Sequence, residues 1–120
     1  MEFCELNIWK KGYELLLTIY KITSNYPKEE KYNLISQTRS SASSVIAQIA
    51  EAYGRYSFAD KIRVLYQSRG EEEETRSHLM VAFGLGYITK TEFENLNSEY
   101  RGLGAGINSY INSLSKHKKH

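Results

Sequence analysis

Cysteine is nearly absent: Cys4 is the only one in 120 residues, so no internal disulfide can form and nothing marks an oxidising compartment. Proline is equally scarce. Pro27 stands alone, and eight glycines are too few for a loop-rich β fold. This shortage of chain breakers favours long helices. No run approaches the ~18 apolar residues that a membrane span requires. The opening MEFCELNIWKK has no basic start followed by an apolar run, so a signal peptide is not expected and the expected location is cytoplasmic. Charge of one sign is also lacking: 16 Lys and Arg against 14 Asp and Glu leave +2, which by itself assigns no partner. What remains, 41% apolar and 25% charged, describes one soluble domain able to bury a core without metal or disulfide support.

Four amphipathic segments predict an all-α, antiparallel up-down-up-down four-helix bundle over residues 1–120. The first, about residues 5–24, repeats Leu6, Trp9, Tyr13, Leu16 and Tyr20 at helical spacing, widened by Leu15, Ile19 and Ile22. It stops before NYPKEEKYN, the one long loop expected, where Pro27 removes an amide donor. The second, about 34–53, aligns Leu34, Thr38, Ala42, Val45 and Ile49. Its SQTRSSASS half is small enough for a neighbouring helix to come close, and Gly54 should end it as a left-handed cap. The third, about 58–85, starts behind a Ser57 cap with Phe58, Ile62 and Leu65, and resumes with Leu79, Ala82 and Phe83 before Gly86. The fourth, about 90–115, opens on a Thr89–Glu92 capping box and carries Phe93, Leu96, Tyr100, Leu103, Ile107, Tyr110 and Leu114. Gly102 and Gly106 read as contact points for a neighbouring helix, and 116–120 as a flexible basic tail.

The third segment poses the question. From Gln67 to His78 it has no aliphatic or aromatic residue, although a packed helix normally keeps an apolar stripe. Continuing its stripe puts Arg69, Glu72 and Arg76 on the inward or flanking face. A hairpin turning near residue 56 sets positions equidistant from that turn opposite one another. Arg39 is then expected against Glu72 and Glu73, and Glu51 near Lys61 and Arg63, with Gly70 easing the approach of the Ser-rich helix. Three readings stay open: a solvated charged face, a subunit contact that uses the charges to fix register, or a chemical site. Removing one partner of a buried ion pair costs ~3–5 kcal/mol.

Chemistry finds little support. A carboxylate-bridged di-metal bundle needs two Glu-x-x-His motifs, whereas Glu74 and His78 are four apart and no second motif exists. His117 and His120 have no acidic neighbour, Cys4 has no nearby histidine, and RGLGAGIN lacks the glycine spacing of a dinucleotide fingerprint. No metal, no cofactor and no enzymatic activity are expected.

The charges are polarised instead. Up-down topology gathers the N-terminus, the second turn and the C-terminus at one end. That end holds Lys10, Lys11, Arg55, Lys61, Arg63, Lys116, Lys118 and Lys119 against Glu2, Glu5, Glu51 and Asp60, leaving +4 there and −2 elsewhere. Tyr53, Tyr56 and Phe58 are interleaved with these cations. Basic groups neutralise phosphates and exposed aromatics stack on unpaired bases. Tyr53 and Phe58 fit the helix stripes as well, and a lysine-rich tail also serves solubility alone.

LNIWKKGYELLLTIY, YPKEEKYNLISQTRSSASSVIAQIAEAYGR and ETRSHLMVAFGLGYI, in this order, resemble the bacterial four-helix-bundle family first associated with intervening sequences in large-subunit ribosomal RNA genes. The likeness runs over about residues 6–115. Its most specific pieces are Pro27 with Glu30, Gln37 with Arg39, IAEAYGR, and ETRSHL followed by LGY. The family more usually has Asn-Ile-Ala-Glu-Gly at Gln48–Ala52 and Gly-Ser at Gly70–Glu71. The chain is also similar to the accessory variability protein of diversity-generating retroelements, a basic pentameric bundle that binds nucleic acid and a reverse transcriptase. The resemblance implies a ring-like homopentamer without enzymatic activity or cofactor. It also implies architectural or interface roles for Glu51, Arg55, Glu74 and Arg76. The expectation is therefore a non-catalytic oligomeric adaptor whose basic end engages RNA or DNA, with room for a protein partner; the alternative is a protein-binding scaffold with no nucleic-acid role. Five parallel copies of such an end would present about +20 on one face.

Overall fold

A computed structural model describes residues 1–118, and among these it has four α-helices and no strand: α1 (Asn7–Thr23), α2 (Ser36–Gly54), α3 (Phe58–Gly84) and α4 (Lys90–Lys118). The helices pack in sequence order with α4 closing against α1, as the expected antiparallel bundle. Its axes measure 51 × 24 × 21 Å. At 1.5 Å per residue, α4 alone is about 43 Å long and runs most of that length. Leu15 and Ile19, Val45 and Ile49, Val64, Leu65 and Leu79, and Leu103 and Ile107 meet in a common core. Each such side chain contributes roughly 1.5–3 kcal/mol by leaving water.

The helix ends follow local chemistry. Before α1, Glu2 and Glu5 form a capping box around a single 3-10 turn, Phe3–Glu5, and Leu6 then adopts an extended conformation. This is why α1 begins at Asn7. The Ser57 hydroxyl accepts from the Asp60 amide at 3.1 Å and starts α3. Thr89 and Glu92 satisfy each other's amides at 3.1 and 2.8 Å at the start of α4. Gly86 takes the left-handed conformation, φ 79°, that ends α3. The Tyr87 amide donates back to Ala82 and the Gly86 amide to Phe83, closing a Schellman turn.

Three expectations change. Gly54 is not a left-handed cap, since Gly86 alone has positive φ among the described residues. The Lys61 ammonium closes α2 instead, donating to the carbonyls of Tyr53 (2.7 Å) and Ala52 (3.3 Å). The long loop is also shorter than expected. A 3-10 turn at Lys28–Glu30 leads into one π-helical turn, Lys31–Ile35, continuous with α2. Glu30 accounts for it: its carboxylate accepts from the Leu34 amide and Asn33, and from the Tyr87 hydroxyl at 2.8 Å. One side chain thus caps a helix and ties the first loop to the last. Finally, α1 is rotated about its axis relative to the expected stripe. Gly12, Leu15, Ile19 and Thr23 are buried, whereas Tyr13 and Tyr20 stay nearly half exposed and Trp9 stacks on Tyr13. Gly12 permits this, because a Cβ there would overlap Ile46 Cγ2 of α2.

Candidate functional site

The buried face of α3 does not break at the polar stretch. Leu65, Ser68, Glu72, Thr75, Leu79 and Ala82 continue one helical stripe, and all are buried. The small hydroxyls are satisfied against α2: Ser68 donates to the Val45 carbonyl at 2.7 Å, and Ser41 and Thr75 share a hydrogen bond at 2.8 Å. Such pairing lets polar groups sit in a core without the cost of lost hydration.

Glu72 is the demanding member, with its side chain 1% exposed. Arg69 Nη1 donates to its Oε1 at 2.7 Å, and Arg76 Nη1 lies 3.6 Å from Oε2, an ion pair too long for a hydrogen bond. Both arginines are held by α4: Arg69 Nε donates to Asn108 and Arg76 Nε to Asn97, each at 2.9 Å. Gly104 of α4 makes the room, since a Cβ there would overlap Glu72 Oε1. Burial pushes the Glu72 carboxyl above the usual glutamate range, and Arg76 and Arg69 offset only part of that shift. Burial, and then the Glu72 charge, likewise push the fully buried Tyr100 hydroxyl up.

Arg39 is not in this layer. It turns to α1, where Nε donates to Thr23 Oγ1 (2.9 Å), Nη2 reaches the Tyr20 carbonyl and Ser24 Oγ, and the guanidinium lies 4.5 Å from the Tyr20 ring centre. Thr38, its neighbour in sequence, is the residue that faces the core. Symmetry about a turn sets height along a bundle, not direction around a helix. Glu51 pairs with Arg55 at 2.6 Å rather than with Lys61 or Arg63. Glu73 is exposed, 3.6 Å from Arg69. Glu74 is exposed beside His78 at 3.7 Å, and Glu71 is pushed up by burial, by the Glu74 charge to a lesser degree, and eased by His78. Asn97, Asn108 and Gly104 carried no sequence signal of their own. Gly102 has open space where Gly104 is tight, and Gly106 approaches Ile8 Cγ2 of α1.

At the N-terminal end, Tyr53 donates to the Met1 carbonyl at 2.6 Å and Phe58 stacks on His117, bringing the chain start, the α2–α3 turn and the end of α4 together. The cations there differ in how far they are engaged. Lys61 caps α2, Arg55 is paired with Glu51, and Arg63 is 3.8 Å from Asp60. Lys10 and Lys116 are exposed. Lys11, beside Lys10 in sequence, turns into the seam between α1 and α4 and is paired with Glu99. Residues 116–118 of the expected flexible tail belong to α4, which ends at Lys118, while Lys119 and His120 lie outside the described residues. Tyr56 is fully exposed. Among the described residues no group of three His, Cys, Asp or Glu side chains converges on a metal position, and no helix is long and apolar enough to cross a membrane.

Fold and site together define an antiparallel four-helix bundle whose α3–α4 seam is built on a buried carboxylate between two arginines. Residues 4–109 match the family described as 23S rRNA-intervening sequence protein, and the chain belongs to that family. Among solved structures it is similar to a Bacteroides thetaiotaomicron protein of unknown function from the S23 ribosomal protein family, with 26% identity, a TM-score of 0.81, and coverage of 88% of this chain and 95% of that one. No curated protein matches it.

Proposed function

We propose that this protein is a non-catalytic homo-oligomeric adaptor, pentameric in assembly, whose basic end binds RNA or DNA. It acts in the cytoplasm, without cofactor. One juxtaposition carries the reading: the wholly exposed Tyr56 shares an end of the bundle with Arg55, Arg63 and Lys116. That combination suits phosphate neutralisation with base stacking. Membership in a family named for ribosomal RNA intervening sequences supports the same direction. Oligomerisation multiplies weak contacts through avidity. The test compares wild type with the Lys10→Gln, Arg63→Gln, Lys116→Gln triple variant across a salt series. The slope of log affinity against log salt should fall by about one for each phosphate contact removed. An unchanged slope and affinity would remove the surface.

A second reading, a protein-binding scaffold, is favoured by a different observation. Met80, Val81 and Leu85 at the end of α3, and separately Leu17 of α1, are all about half exposed, apolar side chains that a protein partner would cover. It requires oligomerisation or partner binding in nuclease-treated preparations, with no affinity for nucleic acid.

A further inference from the structure

A concavity of about 530 Å³ opens between α1 and the start of α2, and its lining carries no acidic residue. It lies far from the basic end, because the 15 residues from Arg39 to Gly54 span about 22 Å of helix. Its volume falls in the range of small-ligand sites. Two cations line it, Lys31 and Arg39, together with Tyr20 and Tyr32 and the hydroxyl side chains of Ser36 and Ser40.

The Arg39 guanidinium is held in place. Nε and Nη2 are committed to α1, and the guanidinium lies over the Tyr20 ring, 4.5 Å from its centre, yet Nη1 donates to nothing among the described residues. Its two N–H groups are therefore fixed in position and free to donate. Tyr32 is the opposite case, a ring 87% exposed with Lys31 Nζ 5.3 Å from its centre. Both lie on the π-helical turn Lys31–Ile35, a geometry that recurs at functional sites. Folding gains little from a ring left in water, whereas a planar ligand would gain a stacking surface.

The geometry points to a site for one unpaired nucleotide, its base stacked on Tyr32 and its phosphate held by Arg39 Nη1, Lys31 and the serine hydroxyls. This goes beyond the basic-end reading: the residues are different, and the site stands if that end binds nothing. The nucleotide can be free or part of a single strand, because both present the same base and phosphate.

The test measures anisotropy of labelled oligouridylate with wild type, with Lys31→Gln/Tyr32→Ala, and with the basic-end triple variant, plus competition by excess uridine monophosphate. Both substituted side chains are exposed, and Lys31→Gln alone, milder still, should act in the same direction. The double variant should lose at least about fivefold in affinity, the low end for removing one base-stacking aromatic. Displacement by the monophosphate assigns the site to free nucleotide; no displacement assigns it to a strand. Full affinity in the folded double variant, alongside loss in the triple variant, overturns this site and leaves the basic end standing. The reverse pattern keeps the site and removes the basic end. No binding by wild type overturns both. A change in oligomer mass in the double variant, with affinity unchanged, makes this face a contact between copies and overturns the nucleotide site.

Discussion

Replacing Glu72 by glutamine and, separately, by alanine distinguishes the shape of the buried layer from its charge. Glu72 is almost fully buried, while Arg69 and Arg76 keep 24% and 26% of their side-chain surface exposed. Breaking a buried ion pair costs ~3–5 kcal/mol. Water can take up part of what the arginines lose, so Glu72→Ala should cost about 3 kcal/mol, the low end of that range. A chain of this length loses about 4 °C per kcal/mol, so its midpoint should fall by about 12 °C. Glutamine keeps the shape and still accepts from Arg69. Because burial raises the Glu72 carboxyl even with both arginines present, a neutral group suits the site better than a charged one. Glu72→Gln should therefore cost clearly less than Glu72→Ala at pH 7. The sign of the pH dependence follows. The neutral carboxyl's contribution is complete below the ordinary glutamate value of 4.5 and is lost as pH rises through the raised folded value. Thermal melts followed by circular dichroism across pH 4 to 8 should show that loss in wild type and not in Glu72→Gln. A glutamine variant as unstable as the alanine variant at pH 7 would refute the reasoning, because the charge itself would then hold α3 to α4.

The α4 glycines give a contrast. Gly104→Ala should destabilise by about 1–3 kcal/mol by overpacking against Glu72, whereas Gly102→Ala, in open space, should stabilise by up to about 1 kcal/mol, both measured by denaturant unfolding. The Tyr100 hydroxyl is buried with no protein partner among the described residues, so Tyr100→Phe should be neutral or slightly stabilising. A loss above about 1 kcal/mol would mean that the hydroxyl makes a bond this account omits. Arg76→Ala should shift the native mass from oligomer toward monomer; a folded variant that keeps the full assembly counts against an interface role.

Much of the bundle was legible because α2 and α4 keep unbroken stripes: Leu34, Thr38, Ala42, Val45 and Ile49 are all buried, as are Leu96, Tyr100, Leu103, Ile107 and Leu114. The polar layer was partly legible. Glu72 falls on the α3 stripe, but a hydrophobicity pattern discards Ser68 and Thr75, whose burial depends on hydrogen bonds to α2. The direction of α1 was not legible, because Tyr13 and Tyr20 suit a core and a half-exposed surface equally well. Arg39 faces α1 instead of Glu72 for a rotational reason: one residue along a helix turns the side chain by about 100°. The Gly54 cap failed because a lysine seven residues later competes for the same carbonyls.

The central claim is that this family member binds nucleic acid through repeated phosphate contacts. Fluorescence anisotropy of purified wild type with structured RNA, single-stranded DNA and duplex DNA, at about 50 and 200 mM salt, tests it most directly. Tight binding to at least one of them is expected at low salt, with a loss of about a thousandfold at high salt for six phosphate contacts. Absence of binding to all three at low salt would contradict it and leave the protein-binding scaffold as the function.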